Sequence, residues 1–114
     1  MTTVFWLQTG ACGGDSLAIL SADAPSLEQL LAMHGIDRLW HPSLSHQSMR
    51  RHDELYARII AGEQSLDILC IEGSIVTAPR GTGLYDSYRG QAKMDIARRL
   101  AEHAGTVVAM GTCA

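Results

Sequence analysis

Apolar and polar positions along the chain follow two periods in turn. Val4-Phe5-Trp6-Leu7 is a short unbroken apolar run of the kind a buried strand makes. It stops at Thr9-Gly10-Ala11-Cys12-Gly13-Gly14-Asp15, where three glycines permit backbone angles closed to other residues. Leu17-Ala18-Ile19-Leu20 then resumes the apolar pattern, so a helix is expected from about Asp15. Pro25 and Ser26, with Gln29 three positions after the serine, predict a second helix that opens on a capping box. Leu27, Leu30 and Leu31 are its apolar side, Gly35 is its stop, and Ile36 to Trp40 reads as a second strand.

After a polar connection from Pro42 to Gln47, Leu55, Ile59 and Ile60 fall on one face of a helix that ends near Gly62. Leu66 to Ile71 reads as a third, buried strand. Gly73 to Gly90, with Pro79, Gly81 and Gly83 between, is expected to be a long loop that something else covers or contacts. Met94, Ala97, Leu100 and Ala101 recur at helical spacing up to Gly105, and Thr106 to Met110 is a fourth strand before Gly111-Thr112-Cys113-Ala114. Strands alternating with helices predict an α/β fold. The expected form is an open, flavodoxin-like parallel sheet in order 2-1-3-4, with right-handed crossovers and helices on both faces. Sheets of this kind normally carry more strands, so residues 1–114 are expected to be one domain cut from a longer polypeptide.

With 46% apolar and 18% charged residues the chain can bury a core, and a net charge of −3 with 5% aromatic residues argues against a nucleic-acid partner. No apolar run approaches the roughly 20 residues that span a bilayer, and the N-terminus lacks a signal-like h-region, so a cytoplasmic setting is expected. Three cysteines form too sparse and odd a set for a disulfide scaffold, which leaves thiols or metal ligands. Cys70 lies inside an apolar strand and reads as a core residue. His34, His41, His46, His52 and His103 match no zinc template with the cysteines and are placed on loops and polar helix faces. Trp6 and Trp40 read as core or interface anchors without chemistry.

Ligands of parallel α/β sheets bind outside the carboxyl ends of the strands. Three loops leave that edge here, carrying Cys12 with Asp15, Glu72, and Cys113. Thiolates are the usual ligands of iron–sulfur clusters, and two residues spaced as Cys12 and Asp15 are can reach neighbouring corners of one. The carboxylate is a harder ligand than a second thiolate. From spacing alone Asp15 reads first as a helix N-cap contributing about 1 kcal/mol. Gly10 to Asp15 can also be read as a phosphate cradle, although the aspartate sets a negative charge against an anion. Glu72 is either functional or a solvated strand end.

Taken together, Phe5-Trp6-Leu7-Gln8 through Cys12-Gly13-Gly14-Asp15-Ser16, Cys70-Ile71-Glu72-Gly73-Ser74-Ile75, and Gly111-Thr112-Cys113-Ala114 resemble the proximal-cluster motifs of nickel-iron hydrogenase small subunits, in order and separation. His41-Pro42-Ser43-Leu44 is similar to that family's His-Pro-Thr-Leu segment. The resemblance implies that Cys12, Asp15 and Cys113 are three of the four ligands of a proximal [4Fe-4S] cluster, with Glu72, Gly13, Gly14 and Thr112 near the cluster or a subunit interface. The family has cysteine where Asp15 stands. That departure resembles the high-affinity, oxygen-insensitive actinobacterial type, whose proximal cluster carries an aspartate ligand. By the same resemblance the fourth ligand and the medial and distal cluster domain lie beyond Ala114, and the nickel-iron centre belongs to a large-subunit partner. This chain then holds no catalytic residue, and any membrane association runs through other subunits. A flavodoxin-like nucleotide or flavin module without iron is the rival. The cluster-bearing subunit of respiratory complex I is a more distant relative, because its adjacent-cysteine motif is not found.

Overall fold

The computed structural model describes residues 1–10 and 13–111. In chain order the elements are β1 (Thr2–Gln8), α1 (Gly14–Leu20), α2 (Leu27–Met33), β2 (Ile36–Trp40), α3 (Met49–Ile60), β3 (Leu66–Glu72), β4 (Ser87–Tyr88), β5 (Gln91–Ala92), α4 (Lys93–His103) and β6 (Ala104–Met110). The four long strands form one parallel sheet ordered β2-β1-β3-β6, which is the expected 2-1-3-4 arrangement.

Local chemistry explains the helix starts. Ser26 accepts a hydrogen bond from the Gln29 amide at 3.2 Å while the Gln29 side chain accepts from the Ser26 amide at 2.9 Å, so the capping box forms as expected. The Ser48 side chain likewise accepts from the amide of Arg51 at the start of α3. α1 is different. Its N-cap is Gly13 in a left-handed conformation with no side-chain cap, so the reading of Asp15 as the N-cap is not correct. Asp15 sits one residue inside the helix, in its first turn.

The pleat of β1 divides the core. Phe5 and Leu7 point to one face, where they pack with Leu69 of β3, Leu55 and Ile59 of α3, and Ile96, Ala97 and Leu100 of α4. Val4, Trp6 and Cys70 point to the other, against Ile19 of α1. Helices therefore lie on both faces, as expected. Phe5, Ile59, Leu69 and Leu100 are fully buried, each stabilising the fold by about 1.5–3 kcal/mol. A register shift between Val4 and Phe5 pairs Trp40 with Phe5, and Trp40 packs in the same cluster as Phe5.

The segment from Gly73 to Gly90 is mostly loop, but its end forms a β4-β5 hairpin that the apolar pattern did not reveal. Arg89 and Gly90 both have positive φ, 50° and 77°, as a tight two-residue hairpin turn requires. The Tyr88 hydroxyl donates to Asp53 at 2.8 Å and Arg89 pairs with the same carboxylate at 3.0 Å, so the loop is held by α3 of its own chain. No helix among the described residues is long and apolar enough to cross a membrane.

Candidate metal centre at the carboxyl ends of the strands

The ends of β1 and β3 are tied together by backbone. The Thr9 amide and hydroxyl both donate to the Glu72 carbonyl, at 2.9 and 3.1 Å, and Gly10 and Ser74 exchange amide hydrogen bonds of 2.9 and 3.3 Å. Gly10 leaves little room for a side chain, since an added β-carbon would lie 3.0 Å from the Ser74 carbonyl oxygen. The Lys93 ammonium donates to the Gln8 carbonyl at 2.9 Å and thereby seats the start of α4 on the same edge. The end of β6 joins them through Gly111, which has a φ of +85° and whose vacant β-position is occupied by the Asp15 carboxylate. Three of the predicted site segments thus converge: the turn of Gly13, Gly14 and Asp15, the end of β3 at Glu72, and Gly111.

Cys12, Thr112 and Cys113 lie outside the described residues. Asp15 is partly buried, and the chain distance from it to Cys12, like that from Gly111 to Cys113, is short. Among the described residues no three His, Cys, Asp or Glu side chains are arranged to hold a metal ion. Cys70 is buried as expected, and burial pushes its thiol pKa up, which keeps it a protonated core residue.

Glu72 is not a solvated strand end. It is fully buried, and its carboxylate gathers three donors. The Trp6 indole N–H reaches Oε1 at 3.1 Å, the Ser16 hydroxyl donates to the same oxygen, and the Ser16 amide donates to Oε2 at 3.4 Å. Burial pushes the Glu72 carboxyl up, but these hydrogen bonds and the nearby His41 outweigh it and hold the group below its ordinary value. Glu72 is therefore a carboxylate at neutral pH.

His41, expected on a polar loop, is also buried, at 1% exposure. Its Nδ1 accepts from the Ser43 amide at 3.0 Å, so in the neutral ring the proton is on Nε2, which donates to Ser16 Oγ at 3.3 Å. The Trp6 ring lies 4.8 Å from the imidazole, centroid to centroid. Burial, reinforced by the Arg38 guanidinium, holds His41 below its ordinary pKa against the opposing pull of Glu72 and Glu28. The result is a directed chain of hydrogen bonds: Ser43 to His41, His41 to Ser16, Ser16 to Glu72, with Trp6 as a second donor to Glu72. His52 departs from expectation too. It lies on α3 but packs its ring against Phe5, Trp40 and Tyr88.

Sequence reasoning found Glu72 and missed what surrounds it. Trp6, Ser16, His41 and Glu72 come from four separate segments, so neither period nor spacing relates them. The one available signal was that Trp6, Ser16, His41 and Glu72 all fall inside the segments that carry the family resemblance.

A family described as NADH ubiquinone oxidoreductase, 20 Kd subunit, matches residues 12–114. The chain belongs to this family. Curated proteins similar to this chain include hydrogenase small subunits. The F420 non-reducing hydrogenase II small subunit of Methanosarcina mazei is 28% identical over 99% of this chain and 32% of its own length. The hydrogenase-2 small chain of Escherichia coli is 26% identical over 96% of this chain and 29% of its own. Among solved structures, the actinobacterial-type NiFe-hydrogenase from Ralstonia eutropha superposes with a TM-score of 0.81 at 27% identity, over 99% of this chain and 36% of that one. The Ni-Fe-Se hydrogenase of Desulfomicrobium baculatum superposes with a TM-score of 0.77 at 27% identity, over 98% of this chain and 42% of that one. The resemblance to nickel-iron hydrogenase small subunits is borne out, and the chain spans about a third of the length of those curated relatives.

Proposed function

We propose that this chain is the N-terminal, cluster-bearing domain of a nickel-iron hydrogenase small subunit, and that Cys12, Asp15 and Cys113 supply three ligands of its proximal [4Fe-4S] cluster. The observation that carries the reading is the contact between Asp15 and Gly111, which sets the only ligand candidate among the described residues against the end of the strand that leads into Cys113. Two cysteines of the sequence with one carboxylate are a donor set that suits the group, and Gly111 stands where a side chain would fill the space beside that carboxylate. When bound, such a cluster supplies a one-electron carrier whose potential depends on ligand charge, hydrogen bonding and exposure.

The chain's own residues do the rest. The backbone ties between Thr9, Gly10, Glu72 and Ser74 hold two of the three loops at fixed separation, and the Asp15 side chain reaches the third at Gly111. Hydrogen would be split at a nickel-iron centre on the large-subunit partner, with electrons passing to this chain; a heterodimer follows from the same reading. The aspartate in place of cysteine, with the likeness to an actinobacterial-type enzyme, favours an oxygen-insensitive variety. Gly13, Gly14 and Thr112 would then line the cluster, and the remaining ligand and the further clusters would be supplied from outside these residues.

The flavin or nucleotide alternative is weaker on two grounds. Asp15 in the first turn of α1 opposes a phosphate. The apolar cavity beside the strand ends, lined by Trp6, Trp40, His52 and Tyr88, is about 190 Å³, small against the roughly 300–1,000 Å³ of typical ligand pockets. Replacing Asp15 by alanine tests the proposal: cluster spectra and turnover of the purified complex should change while the subunit still folds. Unchanged spectra would remove Asp15 from the ligand set.

A further inference from the structure

A buried carboxylate without a cation is costly, and an apolar residue of the same shape would often stabilise the fold as well or better. Glu72 is in that position. None of the ion pairs among the described residues includes it, and its direct hydrogen-bond partners are the Trp6 indole and the amide and hydroxyl of Ser16. Stability alone does not account for such a residue; the geometry it imposes does.

Two of its three donors are the amide and the hydroxyl of one residue, Ser16, which directly follows Asp15. Gripping one residue by both groups fixes how the first turn of α1 is rotated. Among the described residues the other ties of this helix are Ile19 in the second core cluster and the contact of Asp15 with Gly111. α1 is one of the two shortest helices, Gly13 gives it no side-chain cap, Leu17 is 66% exposed, and Ser16 is its one buried residue. His41 completes the clamp by donating to Ser16 Oγ, which leaves the hydroxyl proton directed at Glu72.

We infer that Glu72, acting through Ser16 and backed by His41 and Trp6, is a positioning residue that aims the Asp15 carboxylate at the end of β6. The inference rests on the ligand reading of Asp15 above. Glu72 then influences the cluster without touching it, as outer hydrogen-bond partners of metal ligands generally do.

The test compares four forms of the holoenzyme with wild type: Ser16→Ala, Glu72→Gln, Asp15→Ala, and Ser16→Ala combined with Asp15→Ala. The readouts are the electron paramagnetic resonance spectrum of the reduced cluster, its midpoint potential, and iron per complex. Ser16→Ala barely changes volume but removes the hydroxyl that links His41 to Glu72. It should shift spectrum and potential in the same direction as Asp15→Ala, with iron content retained and turnover reduced by roughly 10-fold, the lower end for outer partners of a metal ligand. Glu72→Gln keeps an acceptor oxygen for the indole and the hydroxyl and should shift both less. The double variant should match Asp15→Ala alone, since there is no longer a carboxylate to aim.

A wild-type spectrum and potential in Ser16→Ala, whatever its stability, would overturn the inference, as would full additivity in the double variant. If Ser16→Ala does not assemble, a Glu72→Gln form with wild-type spectrum and potential overturns it in the same way. An iron-loaded Asp15→Ala form with the wild-type spectrum would instead overturn the ligand reading, and the aiming role with it.

Discussion

Replacing Trp6 by phenylalanine isolates the energetics of the buried carboxylate. The indole N–H donates to Glu72 at 3.1 Å, with Trp6 at 7% and Glu72 at 0% exposure, so the donor is lost from an interior site. A hydrogen bond to a charged group contributes about 1.5–3 kcal/mol, and the space left by the second ring costs on the order of 1 kcal/mol. The expected loss is about 2.5–4 kcal/mol at neutral pH, a large part of the roughly 5–15 kcal/mol that holds most domains together. The two contributions separate with pH. Glu72 is held below its ordinary value of 4.5 in the folded protein, so the stability it contributes is fully present above that value and is lost as pH falls through the folded pKa. The cavity cost does not titrate. Denaturant unfolding followed by far-ultraviolet circular dichroism should therefore show a gap between wild type and Trp6→Phe that is widest at neutral pH and narrows on acidification. A gap of constant size would refute the reasoning, because it would mean that the indole serves only to fill space.

Two further outcomes follow from the same network and its neighbour. His41 is held below its ordinary 6.5 by burial and Arg38, so the unfolded chain takes up a proton before the folded one does and stability falls as pH drops below that value; His41→Gln should flatten the stability profile between about pH 7 and pH 5, measured by urea midpoints. Gly111→Ala forces a side chain into a left-handed backbone and onto the Asp15 carboxylate, costing about 1–3 kcal/mol in thermal unfolding and displacing Asp15; a variant as stable as wild type would show that Gly111 is not constrained.

Much of the fold can be read from the sequence because the signals are local. The strand of Val4 to Leu7, the Ser26/Gln29 capping box and the helix of Leu55 and Ile59 each announce themselves within a few residues, and alternation of strand and helix then leaves little choice of topology. The hairpin was missed because β4 and β5 contribute two residues each, too few for a period to be seen, and its only mark is the Arg89-Gly90 turn. Glu72 was found as chemistry, yet its environment was not, since burial at a strand end depends on what α1 and the Pro42 loop lay over it. The histidines show the same limit. His41 and His52 stand at positions that look polar in one dimension, and only the folding of Trp6, Trp40 and Tyr88 around them buries the first and half-buries the second. The reading of Asp15 as an N-cap failed for a related reason: Gly13 can adopt the left-handed conformation that starts the helix two residues earlier in the chain.

The carboxyl edge of the sheet therefore has two layers. Backbone ties and glycines bring the loops together, and a buried serine–glutamate–histidine chain fixes how the first turn of α1 meets them. The most direct test of the account is the iron and acid-labile sulfide content of the anaerobically purified complex containing this chain, measured side by side for wild type and Cys12→Ser/Cys113→Ser. The account predicts that the double variant lacks one cluster, about four iron and four sulfide per complex. Equal iron and sulfide in the two forms, or none in the wild type, would contradict it.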